Sequence, residues 1–285
     1  MLGPEGKRRR RMVLGGLAAG ASHWANGADA PYPSKLIRVV VPFPSGGGTE
    51  VIGRPLVQAM AQDLGQSMII DNKPGAGTLI GTDWVAKSAP DGHTLLMTTN
   101  AVAINASLVP RLPYDTLRDL PAVGRICTGP NVVVVRSDSP FKTLADLMAK
   151  AKSKPQAVSY GSAGAGGSAH LAAALLAVRS NTDMLHIPFK GNAPAMTEVM
   201  AGRVDFMFYP MIGVTEREAQ KQIRILASTT AKRHPDTPGV PTMAELGFPG
   251  FEEYVGPVGF VAPAGTPQPI LDKLAVAIRS TLTKP

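Results

Sequence analysis

Two glycine-rich segments offer the places where this sequence could do chemistry. Each stands between an apolar, β-branched run and a helix-forming run. The first is Pro42-Phe43-Pro44-Ser45-Gly46-Gly47-Gly48-Thr49-Glu50, after the strand-like run 36–41. The second is Gly161-Ser162-Ala163-Gly164-Ala165-Gly166-Gly167-Ser168-Ala169-His170, after a strand-like run at 157–160. Glycine lets the backbone approach a ligand closely, and the first turn of a helix offers free N–H groups and the positive end of a dipole. Together they suit an anion, with Ser45, Thr49 and Ser168 adding hydroxyl donors. Either segment alone could be a tight structural turn; two of them suggest half-sites that grip one small anion.

Other chemistries fit these residues less well. The first loop lacks the lysine of a phosphate-binding P-loop. The second contains Gly164-Ala165-Gly166-Gly167-Ser168-Ala169, a literal dinucleotide fingerprint. However, the acidic residue that should end the following strand is missing, since Asp183 precedes that strand. The histidines at 23, 93, 170, 186 and 234 show no metal-ligand spacing, and no metal or cofactor is expected. Cys127, the single cysteine, reads as a small core residue and allows no internal disulfide. His170 follows Ser168 by two positions, which do not face each other on a helix, and Gly-x-Ser-x-Gly is absent. Asp205 is an acid within the apolar run 204–208. It could hold a ligand amine or bond a neighbouring backbone group. Phe189 and Tyr209 end strand-like runs, where α/β proteins build ligand sites but also pack.

The elements that position these loops alternate strand and helix along the chain, predicting parallel or mixed sheets covered on both faces. Thr143 should cap a helix whose apolar stripe is Leu144, Leu147, Met148 and Ala151. Pro55 falls inside the first helix, where it should kink or break it. Hydrophobic residues are 44% of the 285 and charged ones 18%, a globular composition. Net charge is +8, yet five cations and two anions lie in the first thirty residues, so the remainder carries +5. That excess suits an anionic ligand. No basic stripe interleaved with aromatics follows, so nucleic acid is not an expected partner. Residues 1–30 read as a signal peptide: a basic run from Lys7 to Arg11, about ten apolar residues, then Ala28-Asp29-Ala30. Cleavage after Ala30 would place the mature chain in the periplasm.

With these segments in place, the sequence resembles the Bug family of extracytoplasmic solute receptors, the TctC-like subunits of tripartite tricarboxylate transporters. The resemblance runs from about Tyr32 to Pro285. It rests on YPSKLIRVVVPFPSGGGTEVIGR, IIDNKPGAGTLIGTDWVAKSAPDGHTLLM, LPYDTLRDL, VSYGSAGAGGSAHLAAALL, HIPFKGNAPAMTEVMAGRVDFMF and GFVAPAGTPQPILDKL, in that order. It implies an α/β fold of the type II periplasmic binding protein class, with two lobes, a central cleft and a two-strand hinge. It places the crossovers near 132–136 and 223–229. Lobe one is then 31–135 and 226–285, shortened at its end relative to the family, and lobe two is 136–225. It implies a monomer that binds a small carboxylate, catalyses nothing and docks to the transporter's membrane subunits. The implied ligand set is Ser45, Gly46, Gly47, Gly48, Thr49, Ser162, Ala163, Gly164 and Ser168. Phe43, Asn100, Phe189, Asp205 and Tyr209 complete the candidates. Glu50 replaces the family's usual Asp, Phe189 its Tyr, and Tyr209 its Asp or Asn. The competing readings are a sensor on the same fold and an exported hydrolase.

Overall fold

A computed structural model of the chain describes residues 31–254 and 256–283. The expected signal peptide lies outside them. Two five-stranded sheets form the frame. The first contains β1 (Ile37–Val41), β2 (Met68–Asn72), β3 (Thr94–Thr99), β4 (Ala122–Gly129) and β10 (Gly256–Val261), in the order β2-β1-β3-β10-β4. The second contains β5 (Asn131–Arg136), β6 (Ser159–Ser162), β7 (Leu185–Pro188), β8 (Phe206–Pro210) and β9 (Ile223–Ser228), in the order β7-β6-β8-β5-β9. In each sheet four strands point the same way and one, β10 in the first and β5 in the second, runs antiparallel to both its neighbours.

Both faces of both sheets are buried, which the sequence shows as unbroken β-branched runs. In β1, Ile37, Val39 and Val41 enter one core while Val40 enters another. In β5, Val133 and Val135 point to one face, Val132 and Val134 to the other. The helices are α1 (Gly48–Leu64), α2 (Leu79–Ala86), α3 (Ala101–Leu108), α4 (Leu144–Ser153), α5 (Ser168–Ser180), α6 (Asn192–Met200), α7 (Val214–Ala219) and α8 (Gln268–Thr283). On α4 the expected stripe of Leu144, Leu147, Met148 and Ala151 is buried, and Thr143 with Asp146 forms a complete capping box. α3, β4 and α7 are elements that sequence reading did not delineate.

Two expectations are corrected. The strands taken as crossovers, β5 and β9, are neighbours inside the second sheet. The chain passes between sheets at 129–131 and again after Tyr254, so lobe two runs from Asn131 to about Tyr254. Met243 and Phe251 accordingly pack into its core. Asn131 ties the crossings together: its N–H donates to Thr229 Oγ1 (2.9 Å) and its Nδ2 to Tyr254 O (3.0 Å). Pro55 does not break its helix, because α1 is continuous from Gly48 to Leu64. The carbonyl that Pro55 leaves unbonded belongs to Val51, which is exposed, so water can satisfy it.

Candidate functional site

A cavity, partly open to solvent, lies between the lobes at the carboxyl ends of the parallel strands. Four helices begin on it: α1 and α3 from lobe one, α5 and α6 from lobe two. In none does the cap residue itself (Gly47, Asn100, Gly167 or Gly191) make a side-chain cap bond, although at α3 Ala101 N donates to Thr99 Oγ1 (3.3 Å). Their first-turn N–H groups and dipoles therefore act on the cavity. Thr49, Thr78, Thr99, Asn100, Asn131, Ser168 and Asn192 add neutral polar groups to the wall. Asn192 Oδ1 is buried without a hydrogen-bond partner.

Of the residues singled out by sequence, Phe43, Gly48, Thr49, Asn100, Ala163, Gly164 and Ser168 line this cavity. Gly47 lines a small adjoining cleft, and Phe189 a wider vestibule that also carries Lys190. The others do not face it. Ser45 and Gly46 are exposed on the outer side of their loop, where Gly46 N donates to Glu50 Oε2 at 2.8 Å. Glu50 itself is buried and paired with Arg54, so it pins the loop and keeps its charge off the ligand space. Ser162 is fully buried, with its Oγ bonded to His186 Nε2 (2.7 Å) and Gly164 O (2.9 Å). Asp205 precedes β8, at the end of the sheet away from the cavity, and accepts from Ser159 N (2.7 Å) and Ser159 Oγ (2.8 Å). It serves the backbone of a neighbouring strand and is remote from any ligand amine. Tyr209 is buried in the core against α6 and β5.

Beneath the second glycine loop lies a stack of histidines. The His170 and His186 rings are 4.1 Å apart, and Tyr160 stacks on His186 at 4.9 Å. Gly166 N donates to His170 Nδ1 at 3.0 Å, which requires that nitrogen to be unprotonated. Burial lowers both pKa values, and the neighbouring His170 helps bring that of His186 down to about 4.

Sequence reading missed a third loop, Gly75-Ala76-Gly77-Thr78, whose Gly77 and Thr78 line the cavity. Ala76, Gly77 and Thr78 all have positive φ, at 47°, 62° and 83°. A β-branched residue at such an angle is strained, and strain of this kind collects at functional loops. Asn105 holds the loop through Gly77 O (3.0 Å) and Thr78 Oγ1 (3.2 Å). Thr78 stands at the N-cap position of α2 but makes no side-chain cap bond to it. Cys127, read as core, is half-buried and also lines the cavity. Among the described residues no group could hold a metal ion, and no helix is long and apolar enough to cross a membrane.

Comparison with known proteins decides the family. Residues 52–285 match the model of the tripartite tricarboxylate transporter family receptor. The chain belongs to that family. A UPF0065 protein from the tcbD-tcbE intergenic region of a Pseudomonas species is 40% identical over 280 residues, covering 97% of this chain and 83% of that one. Among solved structures, the periplasmic binding protein BugD superposes with a TM-score of 0.85 at 33% identity, covering 89% and 85%. MatC from Rhodopseudomonas palustris, with bound malate, gives 0.84 at 31% identity over 89% and 86%. A second R. palustris protein, with adipate, gives 0.83 at 32% over 87% and 83%. The two-lobed α/β architecture is thus that of the periplasmic solute-binding receptors, a family whose members bind substrate for a transporter.

Proposed function

We propose that the chain captures a small carboxylate between its lobes in the periplasm and presents it to the membrane subunits of a tripartite tricarboxylate-type transporter. The observation that carries this reading is the meeting of uncapped helix N-termini from both lobes, α1 and α5 above all, on one cavity lined by no charged side chain. Such a site neutralises an anion through backbone N–H groups and dipoles while excluding water. The malate and adipate in two relatives are of the same chemical class. Export by residues 1–30, with cleavage after Ala30, supplies the compartment. The protein acts as a monomer that needs no cofactor and catalyses no reaction. The Ser162–His186 pair is the nearest approach to a nucleophile and base, but Ser162 Oγ is buried beneath the loop.

The test is thermal unfolding with and without small dicarboxylates, starting with adipate and malate. A ligand at about 100 times its dissociation constant adds about 2.7 kcal/mol of stability, a clear rise in midpoint. A folded protein whose midpoint no carboxylate raises would overturn the proposal.

A further inference from the structure

We infer that the carboxylate bound here has a hydrocarbon body, without an amino group and without hydroxyls along its chain. This rests on the carboxylate-receptor reading and concerns which carboxylates the site selects.

The cavity is divided by chemistry. Its donors, at the starts of α1, α3, α5 and α6, serve the anionic ends of a ligand. Both lobes also give the lining apolar side chains: Ile52, Val258, Phe43 and Cys127 from lobe one, Met211 and Ile212 from lobe two. No Asp or Glu lines the space. An ammonium entering it would give up its water without meeting a carboxylate, and would face the positive ends of four helices. The acid that sequence offered as an amine partner, Asp205, is at the opposite end of its strand, committed to Ser159. A hydroxyl set against Met211 and Ile212 would likewise lose its water without replacement.

This chain's own sequence builds that lining. Strand β8 ends in Tyr209-Pro210, and Met211-Ile212 follow it. Tyr209 turns into the core, and Pro210, Met211 and Ile212 reach the cavity. Met211 is almost wholly buried, whereas Ile212 is half-buried and can be altered without opening the core.

The experiment is isothermal titration of the protein with a matched series of equal chain length: glutarate, 2-hydroxyglutarate and glutamate, with adipate and malate as references. Glutarate is expected to bind at least about tenfold more tightly than either substituted acid, a difference that resolves easily in such a titration. Ile212→Thr, which sets a hydroxyl into the wall, should narrow the gap between glutarate and 2-hydroxyglutarate. Glutamate or 2-hydroxyglutarate binding as tightly as glutarate would overturn the inference while leaving carboxylate reception standing. So would a glutarate preference that Ile212→Thr leaves unchanged. If none of the five acids binds to the folded protein, this inference falls, and the receptor reading is decided by the thermal screen of other carboxylates.

Discussion

The histidine stack is where single residues have the most to say about solution behaviour. The folded protein holds His170 and His186 neutral, with His186 down to about 4 against an ordinary value near 6.5. The unfolded chain therefore binds more protons between those values, so stability rises with pH across that window. The contribution is fully present above about pH 6.5 and is lost as pH falls towards 4. Because Gly166 N donates to His170 Nδ1, protonation also pulls on the second glycine loop. Unfolding midpoints followed from pH 8 to 4 should fall through this window, and His186→Gln, which can still bond Ser162, should flatten the slope. An unchanged slope would show that other groups dominate. Cys127 provides a second measurement on the same scale. Burial raises its pKa, so alkylation at neutral pH should be slow. A ligand at about ten times its dissociation constant should slow it a further tenfold or so, because only the free protein reacts. Alkylation indifferent to ligand would place the ligand away from β4.

At the scale of elements, the helix starts divide into two kinds. α4, remote from the cleft, is closed by the Thr143–Asp146 capping box, whereas α1, α5 and α6 begin on glycines at the cleft. Stability has been left out where binding needs open N–H groups. Thr143→Ala should therefore cost about 1 kcal/mol of stability with ligand affinity unchanged. Gly167→Asp should do the reverse. A Cβ there meets nothing closer than Gly164 O at 3.5 Å, so the side chain fits. It would gain a few tenths of a kcal/mol as a cap, yet set a carboxylate where the ligand's belongs and cut affinity by more than about tenfold. Calorimetry on both variants checks the pair, and tight binding by Gly167→Asp would remove α5 from the site. These elements were largely legible in the sequence, since β-branched runs followed by glycines and helix formers leave little freedom. Membership in a sheet was not legible. The four valines of β5 announce a strand buried on both faces, but nothing local says that β9 and β8 flank it. For Asp205 the sequence left a ligand amine and a neighbouring backbone group both open, and its position at the strand's start, beside Ser159, decides for the backbone. Met211 and Ile212 escaped notice because residues following a strand look like loop until the other lobe is brought opposite.

For the whole molecule, the lobes meet where side chains are absent. A Cβ on Gly166 would lie 2.8 Å from Leu108 Cδ1, and one on Gly191 would lie 2.7 Å from Pro44 Cδ. Each contact joins one lobe to the other, so these glycines set how far the cleft can close. Gly166 has φ of 80°, and substitution there would strain its own loop. Gly191 is the cleaner probe: with φ 163° and ψ 171° it is extended, a conformation open to any residue. Gly191→Ala should leave lobe two intact and act as a wedge against the proline ring. A ligand shifts the balance between open and closed forms only through its preference for the closed one. If the wedge costs the closed form about 1.4 kcal/mol, affinity falls about tenfold while the unfolding midpoint without ligand stays nearly unchanged. Small-angle scattering with saturating ligand should show a larger radius for Gly191→Ala than for the parent protein. Gly239→Ala, where an added Cβ meets nothing within 4 Å, serves as the control. Equal compaction and equal affinity in the wedge variant would mean that Pro44 moves aside, and that closure is limited by the contact of Gly166 with Leu108 instead.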